Sequence, residues 1–96
     1  MATFIMQLNF TDQGIRNVKD SPARFEAFQA MAQGLGVTVK SAFWTMGTYD
    51  MVITVEGLEE AVAAVLMKVG SLGNVRSQSL RAFAADEFKR ILATMP

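Results

Sequence analysis

Lys40-Ser-Ala-Phe-Trp-Thr-Met46, Gly47-Thr48 and Tyr49-Asp-Met-Val-Ile-Thr-Val55 form the stretch that decides the fold. Aromatic and β-branched residues flank a glycine, which predicts two strands joined by a tight turn at Gly47-Thr48. With a two-residue turn, Met46 faces Tyr49, Trp44 faces Met51 and Ala42 faces Ile53, and each pair shares one side of the ribbon. The side holding Trp44, Met46, Tyr49, Met51, Ile53 and Val55 is apolar enough to lie under helices. The other side holds Val39, Ser41, Phe43 and Thr45 against Asp50, Val52, Thr54 and Glu56.

Working outward, Thr3–Phe10 alternates, with Phe4, Met6, Leu8 and Phe10 on one side and Ile5, Gln7 and Asn9 on the other, a first strand. Thr11–Asp20 lacks a period and reads as a connection of about ten residues, longer than the usual link between elements. Ser21-Pro22 opens a helix, with serine as the N-cap and proline in the first turn. Phe25, Phe28, Met31 and Leu35 recur at helical spacing, and Gly34 and Gly36 end the helix. Val37–Met46 and Tyr49–Glu56 are the second and third strands, the latter broken by Gly57. Leu58–Leu72 is a second helix, whose apolar face is Leu58, Ala61, Val62, Val65, Leu66, Val69 and Leu72. Val75–Phe83 is a fourth strand, and Asp86–Met95 a short terminal helix with Phe88, Ile91, Leu92 and Met95 on one face.

The order β-α-β-β-α-β plus a tail helix predicts one α+β domain over residues 1–96, with a ferredoxin-like arrangement. Right-handed crossovers place both long helices on one face of a four-stranded antiparallel sheet. The other face stays bare, mixing Phe43, Val52 and Ile5 with Gln7, Asn9, Asp50 and Thr54. Such a mixture suits face-to-face pairing with a second copy, as in dimeric α/β barrels, around a partly polar cavity. A chain of 96 residues with 51% hydrophobic and 19% charged residues has the composition of a domain that hides apolar surface in an oligomer.

Nine basic and nine acidic residues cancel without forming blocks, which argues against nucleic acid as a partner. The sequence has no cysteine and no histidine, removing disulfides, thiolate chemistry, the usual zinc sets and histidine-based triads. Seven methionines read as core filler rather than as a copper(I) site, since no cysteine or histidine accompanies them. No metal and no cofactor are expected. The first residues resemble no signal peptide and no run approaches the length of a membrane span, so a cytoplasmic protein is expected, with no membrane partner.

Three stretches stand out: Leu8-Asn-Phe-Thr-Asp-Gln-Gly-Ile-Arg-Asn-Val-Lys-Asp-Ser21, Trp44-Thr-Met-Gly-Thr-Tyr-Asp50 and Gly70-Ser-Leu-Gly-Asn-Val-Arg-Ser77. They resemble the GYD-domain family, named for a Gly-x-Tyr-Asp element that stands here as Gly47, Tyr49 and Asp50. Leu80-Arg-Ala-Phe83 and Glu87-Phe-Lys-Arg90 extend the similarity over nearly the whole chain. The resemblance implies a small α/β domain related to dimeric α/β barrel proteins, in a family whose biochemical role is mostly unassigned. The same element resembles the strand-turn-strand of effector-sensing domains in leucine-responsive regulators, and a segment of small cofactor-independent monooxygenases. A shared fold does not transfer chemistry.

The candidate ligand-binding residues are Asn9, Thr11, Lys19, Tyr49, Asp50 and Arg76. Asp50 reads either as a group for a ligand amine or a base, or as a turn carboxylate bonded to backbone or arginine. Tyr49 and Trp44 read as core residues whose polar tips need partners. Arg76 and Arg81 read as charges guarding an edge strand, or as an anion site. Asn9, Thr11 and Lys19 read as the border of a cavity mouth. The expected function is a homo-oligomeric small-molecule-binding or sensing domain. The alternatives are a cofactor-independent dimeric-barrel enzyme, monooxygenase- or isomerase-like, built on Asp50 with Asn9, Tyr49 or an arginine, and an interaction module docking through the alanine-rich second helix.

Overall fold

The first strand in the chain, β1 (Ala2–Phe10), is one of the two inner strands of the sheet, and its two faces carry two different sets of side chains. The computed structural model describes residues 1–96. β1 is followed by α1 (Asp12–Arg16), a 3-10 turn (Val18–Asp20), α2 (Ser21–Gly34), β2 (Thr38–Trp44), β3 (Met51–Gly57), α3 (Glu59–Ser71), β4 (Val75–Ala82) and α4 (Ala85–Ala93). The strands lie in the order β2-β3-β1-β4, all neighbours antiparallel. This is the ferredoxin-like α+β arrangement, with an added C-terminal helix. No helix is long and apolar enough to cross a membrane.

Alternation along β1 sends Met6 and Leu8 beneath the helices, where they join Met51, Ile53 and Val55 of β3. Phe28 and Ala32 of α2 and Val62, Val65 and Val69 of α3 close the core from above. Each of the valine, leucine, isoleucine, methionine and phenylalanine side chains contributes about 1.5–3 kcal/mol by leaving water. The ends of the expected helical stripes escape burial: Leu35, Leu58 and Leu72 are exposed, and each is a cap residue just outside its helix.

The hairpin register is as expected where strands exist, with Trp44 opposite Met51 and Ala42 opposite Ile53. Its turn is longer than expected. Residues 45–50 lie outside both strands, and the loop is closed by the Thr45 N–H donating to the Asp50 carbonyl at 2.8 Å. The Thr45 hydroxyl also donates to the Tyr49 carbonyl at 2.6 Å. The strict alternation assumed through Met46 and Tyr49 therefore fails, and Met46 projects fully into solvent instead of entering the core.

A second departure is a β-bulge. Val39 pairs with Val55 and Ser41 with Thr54, so Lys40 is an extra residue in β2. The bulge shifts the phase, and Val39 packs against the core rather than lying on the bare face. Lys40 Nζ stands 3.7 Å from the Glu56 carboxylate. Ser21 also differs from expectation. It is the first residue of α2, not its N-cap, and its buried hydroxyl accepts the Trp44 indole N–H at 2.9 Å. Trp44 meets Phe25 edge-on at 5.8 Å, so the hairpin and α2 are joined through this side chain. Gly57 is the last residue of β3, one position beyond the expected end, paired with Ala2 and buried against Val37.

The link after β1 is ordered by capping. The Thr11 side chain accepts the Gly14 N–H at 3.1 Å and donates to the Gly73 carbonyl at 2.6 Å, tying α1 to the α3–β4 loop. Gln13 adds bonds to the Leu72 carbonyl and the Asn74 side chain. Gly14 is buried there, and a Cβ on it would fall inside the carbonyl oxygen of Asn74. Gly14→Ala therefore forces the two loops apart, and is expected to lower stability by about 1–3 kcal/mol in urea denaturation.

Candidate functional site

The sheet face turned away from α2 and α3 is left uncovered by the long helices, and it gathers most of the singled-out polar residues. Pairing fixes its rows. Ile5 lies between Thr54 and Leu80, Gln7 between Val52 and Gln78, and Asn9 beside Arg76. From β2, Phe43 stands opposite Val52. Phe43 is 63% exposed and Leu80 41% exposed, while Ile5 and Val52 are half-buried. An apolar strip thus runs across the middle of the face, and a polar end forms where β1 finishes.

Tyr49 belongs to that polar end rather than to the core. Its hydroxyl lies 3.3 Å from Oε1 of Gln78, as donor. The six-residue loop is the reason, since it frees Tyr49 from the pairing that would have aimed it under the helices. Gln78 was not among the candidates. Its position two residues beyond Arg76 on an alternating strand is the signal that marks it.

Asp50 works on the β1 backbone. Its N–H donates to the Leu8 carbonyl at 2.8 Å, and its carboxylate accepts the Phe10 N–H at 2.9 Å. The carboxylate thus replaces the carbonyl that a continuing β3 would have offered, and it satisfies the last donor of the central strand. Asn9 and Arg76 are paired across β1 and β4, and Arg76 takes part in none of the three intrachain ion pairs. Asn9, Tyr49, Asp50 and Arg76 are therefore brought to one end of the sheet. Thr11 caps α1, as described above, and Lys19 is exposed on the 3-10 turn, apart from these bonds.

Arg81 faces the helix side of β4 and has a structural setting. Its guanidinium lies 4.3 Å from the Phe83 ring centroid and 5.8 Å from that of Phe4. It also meets the Glu87 carboxylate at 3.8 Å and donates to the Thr3 carbonyl. Glu87 accepts the Ala84 N–H at 3.2 Å, so this group orients the start of α4. The apolar face of α4 (Phe88, Ile91, Leu92) and Met95 just beyond the helix are nevertheless exposed. The described chain contains no cluster of acidic residues able to hold a metal ion.

Comparison with known proteins follows the same outline. A sequence model of the GYD domain matches residues 4–92. A Thermus thermophilus protein named glutamine synthetase and cystathionine beta-lyase binding protein is 33% identical over 94 residues, 95% of this chain and 99% of that one. Among solved structures, the feast-or-famine regulatory protein of M. tuberculosis complexed with L-methionine superposes with a TM-score of 0.65 at 19% identity. That match covers 88% of this chain and 52% of the regulator. FFRP-DM1 gives a TM-score of 0.62 at 17% identity, covering 86% of this chain and all (100%) of the other. At those identities the structural matches establish the fold.

The position of the Asp50 carboxylate yields a stability prediction. Asp50→Ala leaves the Phe10 N–H without its acceptor, and is expected to cost about 1–3 kcal/mol. Asp50→Asn keeps an oxygen there and is expected to cost less. Urea unfolding of the two variants beside wild type measures both.

Proposed function

The chain belongs to the GYD-domain family, and we propose that it works as a homo-oligomeric small-molecule-binding domain whose ligand site forms where two open sheet faces meet. The observation that supports this reading most directly is the composition of the open face. Phe43, Val52, Ile5 and Leu80 form an apolar strip that water covers in a single copy, and Asn9, Tyr49, Gln78 and Arg76 border it. Pairing two such faces removes the apolar strips from water and leaves the polar ends to converge on a ligand. Tyr49 and Gln78 offer hydrogen bonds, and Arg76 offers a cation to a carboxylate. The methionine bound to the regulator of like fold accords with a ligand of amino-acid size.

In this reading Asp50 holds the end of the sheet, its carboxylate accepting the Phe10 N–H. Light scattering on the purified protein is expected to give a mass of at least twice 10.5 kDa. Phe43→Lys places a charge in the apolar strip, and is expected to weaken the assembly by about 2 kcal/mol or more and reveal the monomer. A wild-type protein that remains monomeric at micromolar concentration removes the reading.

A second reading is a docking module for a metabolic enzyme. It is favoured by the name of the 33% identical relative and by the exposure of Ala63 and Ala64 on α3. Mixing the protein with glutamine synthetase from the same organism is expected, on this reading, to produce a co-eluting complex that Ala63→Glu abolishes.

A further inference from the structure

On the other side of the sheet from the open face, the core is incompletely filled. A cleft of about 280 Å³ runs between α2, the end of α3 and the helix side of β1 and β3. Phe10, Phe25, Phe28, Met31, Val69 and Leu72 are among its walls, and eleven of its fifteen lining residues are apolar. The charges among the lining are Arg24 and Lys68, and no acidic residue takes part. Neither cation is neutralised by a carboxylate. The Arg24 guanidinium donates to the carbonyls of Asn17 at 2.8 Å and Gly14 at 3.4 Å, and Lys68 forms none of the intrachain ion pairs.

We infer that this cleft binds a monocarboxylate with an unbranched apolar chain, the chain lying between α2 and α3 and the carboxylate meeting Lys68 and Arg24. At about 280 Å³ the cleft lies at the lower end of small-ligand pocket volumes, which run from roughly 300 to 1,000 Å³, room for a short aliphatic chain. An apolar lining with a few polar groups at its border is the usual make-up of a small-ligand site. The charge selects the head group, since a cationic amphiphile of equal length meets two like charges and an alcohol meets no partner ion. The inference is independent of the assembly proposed above, because the walls belong to one chain and face away from the paired sheets.

Trp44 is the sole tryptophan and reports on the cleft, since it packs on Phe25 and bonds Ser21, both lining residues. The test titrates the full chain with decanoate, decanol and decyltrimethylammonium below their micelle concentrations, following Trp44 emission and calorimetric heat. Decanoate is expected to bind with one site per chain and to shift the emission, with decanol weaker and the cation weakest. Lys68→Gln is expected to weaken decanoate about tenfold and leave decanol unchanged. Ala27→Trp, which fills the cleft from a helix surface position, is expected to abolish decanoate binding, read by calorimetry with circular dichroism confirming the fold. Equal binding of all three amphiphiles, or decanoate affinity untouched by Lys68→Gln, overturns the assignment. So does binding that appears only in Ile91→Glu, which would make the cleft the berth of a second copy's α4.

Discussion

Two helices can cover only one face of a four-stranded sheet, and this chain has apolar side chains on both. The covered face takes Met6, Leu8, Ile53 and Val55 out of water almost completely. The uncovered face keeps Phe43 and Leu80 in contact with it. The central position of β1, bonded to β3 on one side and β4 on the other, makes this partition rigid. A slip of one residue would exchange the two faces along the whole strand. Stability and surface chemistry are thus two outcomes of one alternating pattern.

The Gly-x-Tyr-Asp element acquires a physical meaning in this frame. Asp50 ends the central ladder by supplying a side-chain oxygen where backbone runs out. Tyr49 can then leave the pleat and reach across the open face to Gln78. One residue closes the sheet and its neighbour furnishes the surface. The same segment therefore carries fold and candidate site together, and its substitution patterns would be hard to assign to either alone.

Much of the fold was legible because its signals are local: alternation in β1, helical spacing from Phe25 to Met31, and glycines at the ends of helices. The pairing of Trp44 with Met51 and of Ala42 with Ile53 was legible as well. What escaped were features set by distant partners. The bulge at Lys40 leaves no mark in composition, yet it moves Val39 from one face to the other. The loop at residues 45–50 reads like a tight turn because Gly47-Thr48 fits one, and only the Thr45–Asp50 closure reveals its length. Ser21 resembled an N-cap by type, but its hydroxyl is taken by Trp44, 23 residues later. The candidate residues were legible as polar groups on an apolar background. Gathering Asn9, Tyr49, Asp50 and Arg76 at one end required the strand order.

The irregularity at Lys40 reaches beyond its own strand. β2 forms one outer rim of the sheet, where unpaired backbone groups invite another molecule to continue the ladder. An inserted residue breaks the even spacing such a continuation needs, and an ammonium group stands at the break, held near Glu56. Open-ended ribbons are disfavoured along that rim.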